Sequence, residues 1–279
     1  MSRTYVITGA GSGIGATTAR LLREAGHTVI GVDLKGAEVT ADLGTPEGRE
    51  QAVADTLSAA GNGIDAVIAA AGVSAPAAIT ARVNYFGVTE FLERLRPELA
   101  RSRAPRAVVV SSMSSLQPNH PDLVDALLSG DETRSVEIAD QLAADERTTS
   151  LIYASSKRAI SRWVRRESVT DDWAGAHIPL NAVAPGTVLT PMTEELLSTP
   201  EGRALVDAVV PMPLNSHQQA ESIATLCVWL ASAENSHCAG QTIYCDGGAD
   251  VVLRGEDAWS WADQAVGEKF TEIMGRLRG

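Results

Sequence analysis

The chain has 279 residues, 44% of them hydrophobic, and a formal net charge of −12. This length suits one large α/β domain or two small ones, and the acidity argues against a surface for nucleic acid or for an anionic membrane. No apolar run is long enough to span a membrane, and Met1 to Thr4 lead into a strand without the layout of a signal peptide. We therefore expect a cytoplasmic protein that binds neither nucleic acid nor membrane.

The sequence carries no pattern for a disulfide framework or for a metal site. Its three cysteines, Cys227, Cys238 and Cys245, form no C-x-x-C pair, so we expect reduced thiols. The five histidines lack H-x-H and H-E-x-x-H spacing, and no bound metal is expected.

Short apolar runs alternate with amphipathic segments along the chain. The pattern predicts strands at 5–7, 28–32, 66–69, 107–111, 178–182 and 241–244, and helices at 14–25, 46–60, 78–101, 156–174 and 217–230. Continuous apolar strands indicate a parallel sheet covered by helices on both faces. We predict an α/β chain with a single doubly wound domain over residues 1–254.

Two segments do not fit this alternation. Residues 117–149 are acidic and helix-forming, which predicts a helical insert. Residues 255–279 form a tail with apolar residues at helical spacing, namely Trp259, Ala262, Val266, Phe270, Ile273 and Leu277. We expect the tail helix to dock on its own subunit, with subunit contact or a cover for the active site as the alternatives.

A glycine cluster follows the first strand and opens the first helix. Its residues are Thr8, Gly9, Ala10, Gly11, Ser12, Gly13, Ile14 and Gly15. Glycines let the backbone turn tightly and approach a pyrophosphate, which the free N–H groups of the helix start favour. This context predicts a Rossmann-type dinucleotide site, although the spacing is G-x-x-x-G-x-G rather than G-x-G-x-x-G.

Asp33 ends the second strand, twenty residues beyond Gly13. A carboxylate there accepts hydrogen bonds from the ribose hydroxyls and repels a 2′-phosphate. The sequence therefore favours NAD, while the nearby Lys35 keeps NADP open as the alternative.

Tyr153 and Lys157 lie four residues apart. On a helix this spacing places both side chains on one face, which Ile160 and Val164 continue inward. A phenol titrates near ~10 in water, and an ammonium held close to it favours the phenolate. The pair is either an acid–base centre or an ordinary surface pair.

Five segments in order resemble the short-chain dehydrogenase/reductases, from about Thr4 to Gly248. They are TGAGSGIG at 8–15, VNYFG at 83–87, VVVSSM at 108–113, YASSK at 153–157 and APGTVLTP at 184–191. Together with ADLGTPEGR at 41–49, the VNYFG segment and the long stretch before Tyr153 resemble the 3α-hydroxysteroid dehydrogenase/carbonyl reductase branch.

The resemblance implies a role for each matching residue. Tyr153 would be the general acid–base group, and Lys157 would lower its pKa and hold the nicotinamide ribose. Ser112, rather than Ser111, would bind the reacting oxygen, and Asn84 would interrupt its helix and hold a water linked to Lys157. The implied cofactor contacts are Gly9, Gly11, Ser12, Gly13, Ile14, Gly15, Asp33, Leu34, Asp42, Leu43, Ala71, Gly72, Tyr153, Lys157, Pro185, Gly186, Val188 and Thr190.

Two departures from the family pattern stand out. The family usually has Asn-Ala-Gly after the fourth strand, and this chain has Ala70-Ala71-Gly72. Forty-one residues separate Ser112 from Tyr153, where the family commonly has about a dozen. The extra residues fall beside a face that the family often uses for subunit packing, which bears on whether the expected homo-oligomer is a homodimer or a homotetramer.

Residues 191–215 are strongly apolar and predict a substrate lid, with plain core packing as the alternative. We expect Ser112, Tyr153, Met192, Leu196 and Leu197 to contact the substrate. The resemblance implies an NAD-dependent oxidoreductase acting on a hydrophobic secondary alcohol or ketone, such as a steroid, terpenoid or alicyclic compound. A non-catalytic redox sensor with the same fold is the alternative.

Overall fold

The structure, a computed structural model, describes residues 2–61, 63–214 and 217–278. Its centre is a seven-stranded sheet in the order β3-β2-β1-β4-β5-β6-β9, in which every pairing is parallel. The strands are β1 Thr4–Thr8, β2 Thr28–Asp33, β3 Val39–Thr40, β4 Ala66–Ala69, β5 Arg106–Val110, β6 Leu180–Pro185 and β9 Thr242–Cys245. Two short strands, β7 Val188–Leu189 and β8 Gln218–Gln219, pair separately. The predicted doubly wound α/β fold is confirmed.

Twelve α-helical segments accompany the strands in the described residues. They are α1 Gly13–Glu24, α2 Pro46–Ala60, α3 Ile79–Ala81, α4 Gly87–Leu99, α5 Pro121–Leu128, α6 Glu132–Ala143, α7 Ser150–Glu167, α8 Pro191–Glu194, α9 Pro200–Val209, α10 Ala220–Ala231, α11 Ala249–Arg254 and α12 Asp263–Arg278. The helix predicted at 156–174 therefore starts six residues earlier, at Ser150, and ends at Glu167. A separate π-helical turn at Asp171–Gly175 follows it.

The sheet has an apolar core on each face. Val6 of β1 joins the cluster that α2, α4 and α7 cover, whereas its neighbours Tyr5 and Ile7 join the cluster that α1 and α10 cover. This division follows from the alternation of side chains along a strand. The register of the strands aligns the carboxyl ends of β1, β4 and β5, since Thr8 pairs with Ala69 and Ala69 pairs with Val109.

The predicted helical insert forms α5 and α6, which pack against α7. Its apolar residues Leu123, Leu127, Ile138 and Leu142 are buried. A cluster of charges also ties it to the body. Arg49 of α2 is 1% exposed and lies 2.9 Å from a carboxylate oxygen of Glu90 in α4 and 2.5 Å from one of Glu132 in α6.

The C-terminal tail does not pack as expected. Gly255, with φ +78°, ends α11, and the apolar side chains of α12 and of the turn before it are largely exposed. Docking of the tail on its own subunit is therefore not seen in this structure, since the apolar side chains that would make the contact are exposed. No helix within the described residues is both long and apolar enough to cross a membrane.

Candidate active site

The glycine loop lies between the ends of β1, β2 and β4. Gly9 has φ +71°, and a Cβ there would lie 2.8 Å from the amide nitrogen of Ala71. A Cβ on Gly15 would lie 2.1 Å from the carbonyl oxygen of Gly9. Neither position can take a side chain without moving the backbone. Ser12 precedes α1 but makes no capping hydrogen bond with it, so its hydroxyl stays available beside the first turn.

Asp33 closes one end of the cavity that this loop borders. Its Oδ2 accepts a hydrogen bond of 2.9 Å from Gly11 N–H, and its Oδ1 accepts one of 2.7 Å from Leu34 N–H. Each oxygen keeps a lone pair for a ligand hydroxyl. Leu34, Asp42 and Leu43 line the same end of the cavity, as expected from the sequence. Gly11 instead reaches the site through Asp33.

Ser112 follows β5 with an extended backbone, and its hydroxyl accepts a hydrogen bond of 3.1 Å from Ser114 N–H. The neighbouring Ser111 uses its hydroxyl differently: it lies 2.7 Å from the hydroxyl of Ser161 and 3.2 Å from the carbonyl oxygen of Lys157. Ser111 is therefore held by the protein itself. This difference supports Ser112 as the residue that faces a substrate.

Tyr153 and Lys157 lie one turn apart on α7, and both line the cavity with Ser112. The Nζ of Lys157 donates to the carbonyl oxygen of Val110 at 3.0 Å and lies 5.6 Å from the centroid of the Tyr153 ring. Burial lowers the pKa of Lys157 to about 8. The ammonium group of Lys157 has three N–H donors, and the bond to Val110 uses one of them. Two donors therefore stay available for a ligand.

The pKa of Tyr153 does not follow the sequence-based expectation. Burial raises it above the ordinary value, and a hydrogen bond with the Ser112 side chain opposes only part of that rise. The expected lowering by Lys157 is not seen, because the cost of burying a phenolate dominates. Burial therefore favours the neutral phenol of Tyr153 over the phenolate.

Asn84 lies in a π-helical turn, Arg82–Phe86, that interrupts the helix predicted at 78–101. Its side-chain amide is fully buried, accepts from Val73 N–H at 2.9 Å, and donates to Val73 O at 2.9 Å and to the Ser156 hydroxyl at 3.1 Å. One lone pair of its Oδ1 stays unused by these bonds. Asn84 is thus part of the wall behind the cavity.

Gly72 separates Asn84 from Lys157. A Cβ there would lie 3.2 Å from Asn84 Oδ1 and 3.5 Å from Lys157 Nζ. The asparagine that the family usually has two residues earlier is Ala70 here, and the local hydrogen bonds come from elsewhere: Thr8 Oγ1 accepts from Ala71 N–H at 3.1 Å. Ser156 was not singled out from the sequence, since its only signal is its place between Tyr153 and Lys157.

The far wall of the cavity is the loop after β6. Pro185, Gly186, Val188 and Thr190 line it, as expected, and Met192 lies beyond them. Leu196 and Leu197 do not belong to the lining of this cavity: Leu196 is 48% exposed, and Leu197 is buried. Their contact with substrate stays a prediction; α8 ends at Glu194, and the following turn directs Leu197 into the protein. The lining that sequence reasoning missed is mostly apolar and follows strand ends: Val32, Ala41, Ala70, Val73, Val83, Val110, Ser111, Pro191 and Thr193.

Comparison with known proteins places the chain in a family. Residues 5–186 match the NAD dependent epimerase/dehydratase family, and residues 133–250 match a family described as Enoyl-(Acyl carrier protein) reductase. The chain is 36% identical over 254 residues to 3-alpha-hydroxysteroid dehydrogenase/carbonyl reductase of Comamonas testosteroni, across 89% of this chain and 97% of that protein. The chain belongs to the short-chain dehydrogenase/reductase family.

Two further proteins are similar to this chain over most of its length. The 3-alpha-hydroxysteroid dehydrogenase from Pseudomonas sp. B-0831, crystallised with NADH, superposes with a TM-score of 0.83 at 39% identity, across 91% of this chain and 99% of that one. The cis-4-hydroxycyclohexanecarboxylate dehydrogenase of Sinomonas cyclohexanicum is 28% identical over 265 residues, across 90% of this chain and 97% of that protein. The resemblance to the hydroxysteroid dehydrogenase/carbonyl reductase branch is confirmed, and the chain is an oxidoreductase.

Proposed function

We propose that this oxidoreductase interconverts a hydrophobic secondary alcohol and its ketone, with NAD as the hydride carrier. The observation that carries the proposal is the shared cavity: Tyr153, Lys157 and Ser112 line one part of it, and Asp33 closes its other end. A bound dinucleotide would contact Asp33 at one end of the cavity and Tyr153 and Lys157 at the other. If Tyr153 and Lys157 had only a structural role on α7, no shared cavity would be needed.

The residues present fit NAD. The glycine loop has no side chains where a Cβ would meet backbone, and a Cβ on Gly13 would lie 3.2 Å from Thr190 across the cavity. Asp33 offers a carboxylate for ribose hydroxyls and repels a 2′-phosphate. We propose that the glycine loop and Ser12 hold the pyrophosphate, Asp33, Asp42 and Leu43 the adenosine, and Lys157 with Pro185, Gly186, Val188 and Thr190 the nicotinamide end.

The protein residues would handle the proton and the reacting oxygen. NAD, when bound, supplies the acceptor or donor of a hydride at the carbinol carbon. Tyr153 donates its phenolic proton to the substrate oxygen in ketone reduction and removes the hydroxyl proton in alcohol oxidation. Ser112 donates a hydrogen bond to the same oxygen. Lys157 would hold the nicotinamide ribose with its free N–H donors, and Asn84 with Ser156 fixes the wall behind Lys157.

The substrate side of the cavity supports an apolar substrate. Met192 lines this side of the cavity and is 50% exposed. Leu196 and Leu205, also exposed, lie on the same segment, 191–214. Arg203 is the one basic residue of segment 191–214, and its Nε donates to Leu197 O at 2.6 Å. A phosphate or acyl-carrier group would therefore meet a single guanidinium in this segment rather than a cluster of cations. The relatives named above are dehydrogenases of a hydroxysteroid and of cis-4-hydroxycyclohexanecarboxylate, which supports a steroid or alicyclic alcohol. A terpenoid alcohol is proposed on the apolar lining alone.

The direct test is NADH formation from NAD with a panel of 3α-hydroxysteroids, terpenoid alcohols and substituted cyclohexanols. We expect turnover on at least one class. Tight NADH binding without turnover on any class would instead favour the redox sensor.

Asp33→Asn tests the cofactor. This substitution keeps the shape but removes the charge that repels a 2′-phosphate and weakens the charge-assisted hydrogen bonds to the ribose, which are worth about 1.5–3 kcal/mol. We expect the ratio of kcat/KM for NAD over NADP to fall by roughly 10–100-fold. Asp42→Asn, at the same end of the cavity, is the matched control and should leave the ratio nearly unchanged. An unaltered ratio in Asp33→Asn would contradict the assignment.

The expected homodimer or homotetramer stays a prediction. Helices α5 and α6 cover α7 on the face beside the Arg49 cluster. Because a covered face cannot pack against another subunit, this arrangement supports the homodimer over the homotetramer.

A further inference from the structure

The C-terminal tail presents its apolar side chains to solvent. Trp259 and Trp261 are 76% and 70% exposed, and Val266 and Phe270 of α12 are 62% and 64% exposed. The three apolar residues at the base of the tail, Val251, Val252 and Leu253 of α11, are also exposed. Side chains of this size rarely stay uncovered together on a monomer.

The tail begins after the last residue that a family model matches. The match to the Pseudomonas 3-alpha-hydroxysteroid dehydrogenase covers 99% of that chain but 91% of this one, and the family match from residue 133 ends at residue 250. The remaining 9% of 279 residues is about the length of segment 255–279. A length match of this kind is consistent with a tail added after the body that the family model covers.

The exposed residues of α12 follow a coiled-coil spacing. Val266, Phe270 and Ile273 are separated by four and three residues, and Leu277, whose side chain lies outside the described residues, continues the pattern in the sequence. A stripe of alternating three- and four-residue steps forms a narrow seam that pairs with another helix. Lys269 and Arg276 lie seven residues apart on one flank of this seam.

The size of the exposed surface suits a protein partner. From the exposed fractions of these side chains and typical side-chain areas, the tail and α11 together offer on the order of 800 Å² of apolar surface, which is about one partner's share of a standard interface. A membrane surface fits less well, because α12 has three acidic and three basic residues, whereas interfacial helices usually carry a basic polar face.

We propose that the tail, from Gly255 to Arg278, is an arm whose apolar face binds a second copy of this chain. A two-fold related copy brings an identical seam, so one surface satisfies both partners. A 16-residue helix is marginal alone in water, and the second copy supplies the contacts that stabilise it.

The experiment is the dimer dissociation constant of the whole protein, measured by sedimentation equilibrium. A chain that ends at Arg254 is expected to dimerise at least ~30-fold more weakly, the effect of losing an aromatic anchor at the centre of an interface. Phe270→Glu in the full chain is expected to weaken the dimer comparably. Thr271→Glu adds the same charge on the opposite side of α12, where Thr271 is exposed, and should leave the constant nearly unchanged.

Binding of NADH checks that each variant is folded, because the tail contributes no residue to the cavity lining. An unchanged dissociation constant in both the shortened chain and Phe270→Glu would overturn the proposal. So would flotation of the intact chain with phosphatidylcholine–phosphatidylserine vesicles in a tail-dependent way, with no change in dimerisation. Protection of Trp259 and Trp261 from iodide quenching in dilute, monomeric protein would also overturn it, since it would show docking on the same subunit.

Discussion

Replacing Tyr153 by phenylalanine is expected to reduce kcat by about 10²–10⁴-fold, the contribution typical of a positioned acid–base group, while NADH binding stays nearly unchanged. The substitution removes only the phenolic oxygen, and the ring still packs beside Lys157, whose Nζ lies 5.6 Å from its centroid. The measurement is steady-state turnover in both directions with a substrate found in the panel, together with fluorescence titration of NADH.

The pH profile adds a second readout for the same variant. Burial raises the pKa of Tyr153, so the ionised fraction that alcohol oxidation needs grows as the pH rises through the alkaline range. Oxidation by the unmodified enzyme should therefore accelerate with pH, and this limb should be lost in Tyr153→Phe. Tyr244→Phe is the matched control, since it removes a phenol that lies 3.0 Å from the Ser115 hydroxyl and outside the cavity lining. Near-normal turnover in Tyr153→Phe would sink the assignment.

Replacing Arg49 by methionine is expected to lower the free energy of unfolding by about 2–4 kcal/mol, because removing one partner of a buried ion cluster leaves the others uncompensated. Arg49 is 1% exposed and pairs with Glu90 and Glu132, whose side chains are 29% and 23% exposed. These carboxylates are partly hydrated already, so the loss should fall below that of a fully buried pair. Urea denaturation of the two proteins measures it.

Arg20→Met is the control for this effect. Arg20 also pairs with two carboxylates, Glu24 and Glu221, but it is 48% exposed, and an exposed pair contributes at most about 1 kcal/mol. A loss below about 1 kcal/mol in Arg49→Met as well would mean that the freed carboxylates rehydrate completely. Restoring part of the stability with Glu132→Gln in the Arg49→Met background would support the cluster as a unit.

The sequence predicted what depends on local pattern. The apolar runs predicted the strands of the sheet. The glycine loop and Asp33 predicted one end of the cavity, because they lie within about thirty residues of one another. Tyr153 and Lys157 share a helix face for the same reason. The order of the strands and the short strand β3 were not predicted, since pairing between distant segments leaves little trace in composition.

The remaining differences come from long-range contacts. The Arg49 cluster joins residues 49, 90 and 132, and nothing in their local surroundings signals that they meet. Leu196 and Leu197 look alike in the sequence, yet the turn after α8 exposes one and buries the other. The raised pKa of Tyr153 depends on burial, which an i,i+4 spacing does not reveal. The tail stripe predicted a helix correctly but not what covers it.

Strand β9 can join the sheet only late in the synthesis of the chain, because it is the last strand in the sequence. All six pairings in the main sheet are parallel, and β9 pairs with β6 only after the 56 residues between Pro185 and Thr242 have been made. At ~5–20 residues per second this takes roughly 3 to 11 seconds. During that interval the backbone donors and acceptors along the outer edge of β6 have no strand partner, and such an edge is a template for aggregation. The nascent chain should therefore be most dependent on chaperones between the completion of β6 and the arrival of β9.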